Sequence, residues 1–282
     1  MQESLTTTLL GYPADARLLI INADDFGMCH AINVAIVRAI KEGVVRSTSL
    51  MAPCPWALHA MHLLKEHPDV PFGVHLTVVC ETVNYAWGPL TSRERVPSLV
   101  DQRGYFYSND CIPALMAQAS LHELEVEFRA QIEAVLAADL KPTHLDWHCL
   151  YSGGRPDIFD MTFSLAREYG LALRADERAS IAKLQRLGLP TDDHDLLDSF
   201  RLDTVGKSAR YAQMLRDLPA GLSAWAVHPG LDNAELLAIE PDGNHVRQTD
   251  LDFMISGEAR EVIEQEGIIL LSYKALQEVW RQ

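Results

Sequence analysis

Leu18 to Ile21 form a short unbroken apolar run that stops, after Asn22 and Ala23, at two carboxylates, Asp24 and Asp25. A run of that length without alternation predicts a strand buried on both faces. The following stretch, HAINVAIVRAIKEG, sets Ile32, Ala35, Ile36, Ala39 and Ile40 on one helical face, with Gly43 placed to cap the end. The chain thus opens as strand, acidic turn, helix. The same alternation recurs downstream. Strands are predicted at 46–52, 72–79, 143–148, 171–175, 199–202, 222–230 and 268–273. Helices are predicted at 57–67, 157–170, around 208–217, at 258–266 and at the C-terminus. Another starts at the capping box Ser120–Glu123, buries Leu124, Phe128, Ile132, Val135 and Leu136, and is broken by Pro142. Residues 80–119 show no clean period and read as a long irregular insertion, and 176–198 read as loop-rich.

Strands alternating with helices imply parallel pairing through helical crossovers. Their number, over 282 residues, favours an irregular (β/α) TIM-like barrel of about seven parallel strands in a single domain. Periodicity does not show closure, so an open doubly wound sheet fits the same pattern. The barrel is assigned to residues 17–282 and a polar, Thr-rich extension to 1–16.

Composition narrows the partners. Hydrophobic residues at 48% and charged residues at 22% exclude a disordered or low-complexity chain. Lys and Arg number 24 against 39 Asp and Glu, a net charge of −15, which repels nucleic-acid phosphates. No apolar run approaches about 18 residues, so no membrane span is expected. The N-terminus has neither a basic segment nor a hydrophobic stretch of the secretory kind. Five cysteines, an odd number with no CxxC, indicate neither a disulfide framework nor a zinc knuckle, and a reducing cytoplasm is expected.

The candidate chemistry gathers at strand ends. Asp24 and Asp25 follow the first strand, His75 ends FGVHL, His144, Asp146 and His148 alternate along THLDWH, and His228 ends LSAWAVHPG. In parallel α/β folds the C-terminal strand ends share one face, so four distant segments deliver Asp and His to one rim. Taken alone, the Asp24–Asp25 pair equally fits a solvated turn ahead of a helix, and His75 fits a hydrogen-bonded core histidine. THLDWH is more specific, because a period of two puts two imidazoles and a carboxylate on one face, which is costly as plain core. Such a set suits a divalent metal or proton transfer. A cation there would lower the pKa of a water and polarise a carbonyl; a nearby carboxylate can take a proton and a histidine can return one. Those parts add up to metal-assisted hydrolysis of an amide or ester. No GxSxG, GxGxxG or P-loop is present.

INADDFG, GVHLT, KPTHLDWH, LALRAD and AVHPG, in this order, resemble the YdjC-like (ChbG-like) carbohydrate deacetylases, over residues 17 to about 275. The resemblance implies a TIM-like barrel that removes acetyl groups from small N-acetylated sugars, such as chitooligosaccharides, with one divalent metal ion (Zn or Mg), and a homodimer. It implies Asp25, His75 and His148 as metal ligands, Asp24 as general base and His228 as general acid. Arg174 falls where the family has an Arg near the site, and His144 becomes its neighbour on the substrate-binding side. The family often follows its histidine with a His-rich run, whereas this chain continues CLYSGG and carries Trp147 in place of a small residue. Aromatic residues of the 80–119 segment, Tyr85, Trp87, Tyr105, Phe106 and Tyr107, offer either sugar-stacking surfaces or a packed cover over the barrel mouth. Two other readings are a metal-dependent TIM-barrel lyase or isomerase, which needs a strand-end Lys or second acid, and a non-catalytic carbohydrate-binding relative, which is expected to have lost a ligand or the base.

Overall fold

The computed structural model describes residues 6–81, 84–198, 200 and 202–281. Ten strands lie among them: β1 (Arg17–Phe26), β2 (Ser47–Leu50), β3 (Phe72–Leu76), β4 (Val79–Cys80), β5 (Tyr107–Ser108), β6 (His144–Trp147), β7 (Ala172–Leu173), β8 (Leu197–Asp198), β9 (Gly221–Val227) and β10 (Ile269–Leu271). All but β4 and β5 belong to one parallel sheet with the path β7-β6-β3-β2-β1-β9-β8, and β10 adds to β1. Helices connect successive strands, giving the irregular (β/α) barrel in one domain that the alternation predicts. The path ends at β7 and β8, and no ladder joins these two among the described residues.

β1 is the spine. Leu18 to Ile21 are fully buried, as a strand covered on both faces must be. One edge pairs with β9 from Arg17 to Ala23. The other edge is shared, with β10 along Leu18–Ile20 and β2 along Asn22–Phe26. Between Ala23 and Phe26 the register with β2 slips: three steps on β1 match two steps on β2, from Thr48 to Leu50. That is a bulge, which inserts one extra residue and re-aims side chains near it.

Four stretches depart from the sequence reading. The predicted strand at 199–202 includes residues 199 and 201, which lie outside the described residues; the strand that pairs with β9 there is Leu197–Asp198. Residues 176–198 hold a helix, Arg178–Arg186. Residues 231–257 hold two more, Ala234–Ile239 and Asn244–Met254. The N-terminal stretch is helical at Thr6–Leu9, where the Thr6 amide donates to both Asp193 carboxylate oxygens at 3.1 Å.

The 80–119 segment is a packed excursion. β4 pairs in parallel with β5, and Trp87, Leu99 and Phe106 are buried. Its side chains on the barrel mouth are Glu81, Asn109, Asp110 and Ile112 rather than the aromatics. Trp87 instead backs the ring of His148, with centroids 6.1 Å apart.

Gly73 on β3 gives way to the His144 ring: a Cβ there would lie 2.5 Å from two ring atoms. Both residues are locked in the sheet interior, so neither can move cheaply. Gly73→Ala is expected to lower stability by about 1–3 kcal/mol. Gly257→Ala, at an open helix start, should change it by under roughly 0.5 kcal/mol. Urea unfolding of the two variants side by side checks the difference.

Candidate metal centre and active-site cavity

A cavity of about 510 Å³ opens at the C-terminal ends of the strands. Asp24, Asp25, His75, His148, Arg174 and His228 all line it. Adjacent residues on a regular strand point to opposite faces, so Asp24 and Asp25 need a special backbone to share one cavity. The β1 bulge supplies it, with Asp25 at φ +70°, a left-handed conformation that Asp tolerates better than most residues.

Three donors converge around Asp25. Its Oδ1 lies 3.5 Å from His75 Nε2 and 3.2 Å from His148 Nδ1. Tetrahedral ligands at roughly 2.0–2.2 Å from an ion stand about 3.3–3.6 Å from one another, so these spacings fit a single cation. The other oxygen, Oδ2, accepts from Arg247 Nη1 at 2.8 Å. His75 is held from behind, its Nδ1 2.8 Å from Asp146 Oδ1, which directs the Nε2 lone pair at the ion position. β3 and β6 pair His75 directly with Asp146, so this contact is a register partner in the sheet.

Burial alone would lower the pKa of both rings, but the surrounding negative charge wins. Asp146, with help from Asp24 and Asp25, raises His75 to about 10. Cys149 and Asp25 raise His148 to about 10. The field that favours a proton on each ring equally favours a cation between them. Asp25 itself is pushed upward by burial, yet Arg247 and the two histidines hold it well below the usual carboxylate range.

Asp24 sits in a different environment. Arg174 grips it with two parallel bonds, Nη1 to Oδ1 at 3.0 Å and Nη2 to Oδ2 at 2.9 Å. Asn22 Nδ2 adds a bond to Oδ1 at 2.6 Å. Burial raises the carboxyl, but the Arg174 charge, joined by His75 and the Arg174 hydrogen bonds, offsets this and keeps it ionised. Arg174 also faces Asp146 Oδ2 at 3.1 Å and Asp176 Oδ1 at 3.3 Å, so its donors are committed to carboxylates.

His228 follows the last β1–β9 pair, Ala23 with Val227, and so emerges beside Asp24. Its backbone N–H donates to Asp250 Oδ2 at 2.9 Å, and its ring meets Phe200 edge-on at 5.1 Å. Its Nδ1 has no hydrogen-bond partner among the described residues.

His144 is not part of the cavity wall. It is fully buried, stacked on Tyr273 with centroids 4.0 Å apart, and its Nε2 lies 3.5 Å from Asp146 Oδ2. The substrate contact expected for it is therefore corrected: the period-two face of THLDWH runs down into the barrel, with His148 at the rim, Asp146 below it and His144 deepest. Two cavity residues, Glu81 and Arg247, carry no motif and went unread in the sequence. Asp146 was seen only as part of the THLDWH alternation, and Asp176 only as the last residue of LALRAD. Arg247 is fully buried and also binds Glu240 Oε2 at 2.6 Å.

Residues 18–265 match the family described as YdjC-like protein. The chain belongs to that family. A carbohydrate deacetylase from Enterococcus faecalis is 32% identical over 267 residues, covering 92% of this chain and 98% of its own. A chitooligosaccharide deacetylase from Yersinia enterocolitica is 29% identical over 91% of this chain and 98% of its own. A crystal structure from Enterococcus faecalis, named as a candidate cellobiose-phosphate cleavage protein, superposes with a TM-score of 0.80 at 29% identity, over 93% of this chain and 99% of that one.

Proposed function

We propose that this YdjC-family chain is a metal-dependent carbohydrate N-deacetylase, a hydrolase that cleaves the acetamide of a small N-acetylated sugar or oligosaccharide. The observation that carries this reading is the meeting of Asp25, His75 and His148 at ion spacing beside an arginine-clamped Asp24, on one cavity wall. The curated relatives named as carbohydrate and chitooligosaccharide deacetylases support it.

Asp25, His75 and His148 would hold the ion, zinc or magnesium, which when bound polarises a carbonyl oxygen and acidifies a nearby water. Asp24 takes a proton from the water that attacks the acetamide carbon. Arg174 keeps that base charged and fixed, and Asp146 keeps His75 in the ligand tautomer. As the C–N bond breaks, His228 protonates the departing nitrogen, and acetate and a free amine leave. A lyase or isomerase would call for a lysine or a second acid; among the described residues no lysine lines the cavity, and the acid beside the ion position, Asp24, is the base of the hydrolytic reading. All five cysteines are free thiols, which supports a reducing, cytoplasmic setting, and a homodimer is carried over from the family resemblance.

The lining favours an uncharged or weakly cationic sugar. It holds six carboxylates and two guanidiniums, and both guanidiniums are ion-paired. Acetate release should therefore be seen from N-acetylglucosamine or its short oligomers, should exceed that from UDP-N-acetylglucosamine in kcat/KM, and should vanish on chelation and return with added zinc or magnesium. No release from any N-acetylated sugar with either metal present, or release indifferent to chelation, would overturn the assignment.

A further inference from the structure

His148 turns only one of its nitrogens, Nδ1, toward Asp25. Its other nitrogen, Nε2, faces a second pair of donors on the cavity wall. Cys149 Sγ lies 3.3 Å from it and Glu81 Oε1 lies 3.7 Å from it. The three ligand atoms all fall within 4.8 Å of one another. Cys149 is solvent-exposed and left-handed at φ +59°, and this turn folds the thiol back over the ring of the residue before it. Ligands at roughly 2.3 Å for sulfur and 2.0–2.2 Å for nitrogen and oxygen stand about 3.4–3.6 Å apart in a tetrahedron, close to the spacings seen here.

We propose that Glu81, His148 and Cys149 form a second, soft-metal site that competes with the Asp25–His75–His148 site for His148. Thiolate and imidazole select zinc or cadmium and reject magnesium, which takes oxygen ligands. On binding, the cation forms a bond to Cys149 sulfur and the thiol proton passes to solvent. A neutral imidazole has one free lone pair. Binding at Nε2 therefore puts the ring proton on Nδ1 and withdraws His148 from Asp25. Arg247 sits beside both sites, Nη1 2.8 Å from Asp25 and Nη2 3.7 Å from Glu81 Oε1, and the need to displace the thiol proton holds the affinity of this site below that of the first. Excess soft metal thus acts as an inhibitor while magnesium does not. The idea rests on the first site lying where the proposed function puts it, but its main readout does not need activity.

The test is a cadmium titration of the metal-stripped, full-length protein, read by the ultraviolet thiolate-to-cadmium charge-transfer band. The wild-type protein should bind two equivalents, the second taking His148 and leaving the first on Asp25 and His75, with the band developing on the second. Cys149→Ser should lose the band and bind the second equivalent at least about tenfold more weakly. Asp25→Asn should keep the band while losing a ligand of the first site. In the magnesium-loaded enzyme, excess zinc should inhibit acetate release, and Cys149→Ser should raise the zinc needed by a similar factor. Absence of the band in the wild type, its persistence in Cys149→Ser, or its loss in Asp25→Asn would each overturn the proposal; the last would make the thiol a member of the first site. A band in a protein that deacetylates no sugar would leave this site standing and remove the proposed function.

Discussion

Asp24→Asn should cut turnover by about 10²–10⁴-fold, the contribution expected of a general base, while metal content after dialysis stays near wild type. The carboxylate is buried and doubly bonded to Arg174, so an amide of the same volume fits the space but cannot take up a proton. One amide group would then present N–H to the Arg174 guanidinium, donor against donor, and some loss of stability accompanies the loss of rate. A rival role has a physical basis: Asp24 Oδ2 lies 4.0 Å from His75 Nε2, and Asp24, His75 and Asp146 form a further cluster of ligand atoms. Elemental analysis of the variant separates the two. Loss of metal together with activity would make Asp24 a ligand and end its assignment as base.

The strands were legible where burial on both faces leaves an unbroken apolar run, as in Leu18–Ile21 and in β9. Helices were legible where one face is apolar, as in His30–Lys41. The helix Asn244–Met254 was not, because the first two turns of its buried face are polar. Asn244, Arg247 and Asp250 are buried there, and the apolar Leu251, Phe253 and Met254 fall only in its last turn, so a search for hydrophobic period passes over it. What they bury against explains why: Arg247 meets Asp25 and Glu240, and Asp250 meets Lys207. A helix that serves a charged site is hidden from a reading built on apolar stripes.

The candidate site shows the same division. Residues at strand ends were found by position, since parallel strands must send their C-terminal ends to one face. Their second contacts were not. That Asp146 orients His75 depends on a one-to-one register between β3 and β6, which the sequence does not state. That Asp24 and Asp25 share a cavity depends on a bulge against β2. His144 shows the limit of pattern reading: spacing put it correctly on the face of Asp146, but depth within the barrel, with Gly73 making room for its ring, removes it from substrate.

His228→Ala should slow deacetylation of an N-acetyl sugar by about 10²–10⁴-fold and slow hydrolysis of an activated aryl acetate by less than about tenfold. The asymmetry follows from the leaving groups. An amine departs only if its nitrogen is protonated as the bond breaks, whereas a phenolate of low basicity leaves without help. The structure makes the substitution a clean probe. His228 is anchored through its backbone N–H to Asp250, itself held by Lys207 Nζ at 2.7 Å and the Tyr211 hydroxyl at 2.5 Å. Alanine keeps that N–H, so the strand end should stay in place and the metal ligands with it. The ring makes an edge contact with Phe200, and its Nδ1 has no hydrogen-bond partner among the described residues, so little packing depends on it. Rates on both substrates, measured with metal content matched to wild type, decide the matter. An equal loss on the amide and on the activated ester would show that His228 positions or packs and that the proton for the amine comes from elsewhere.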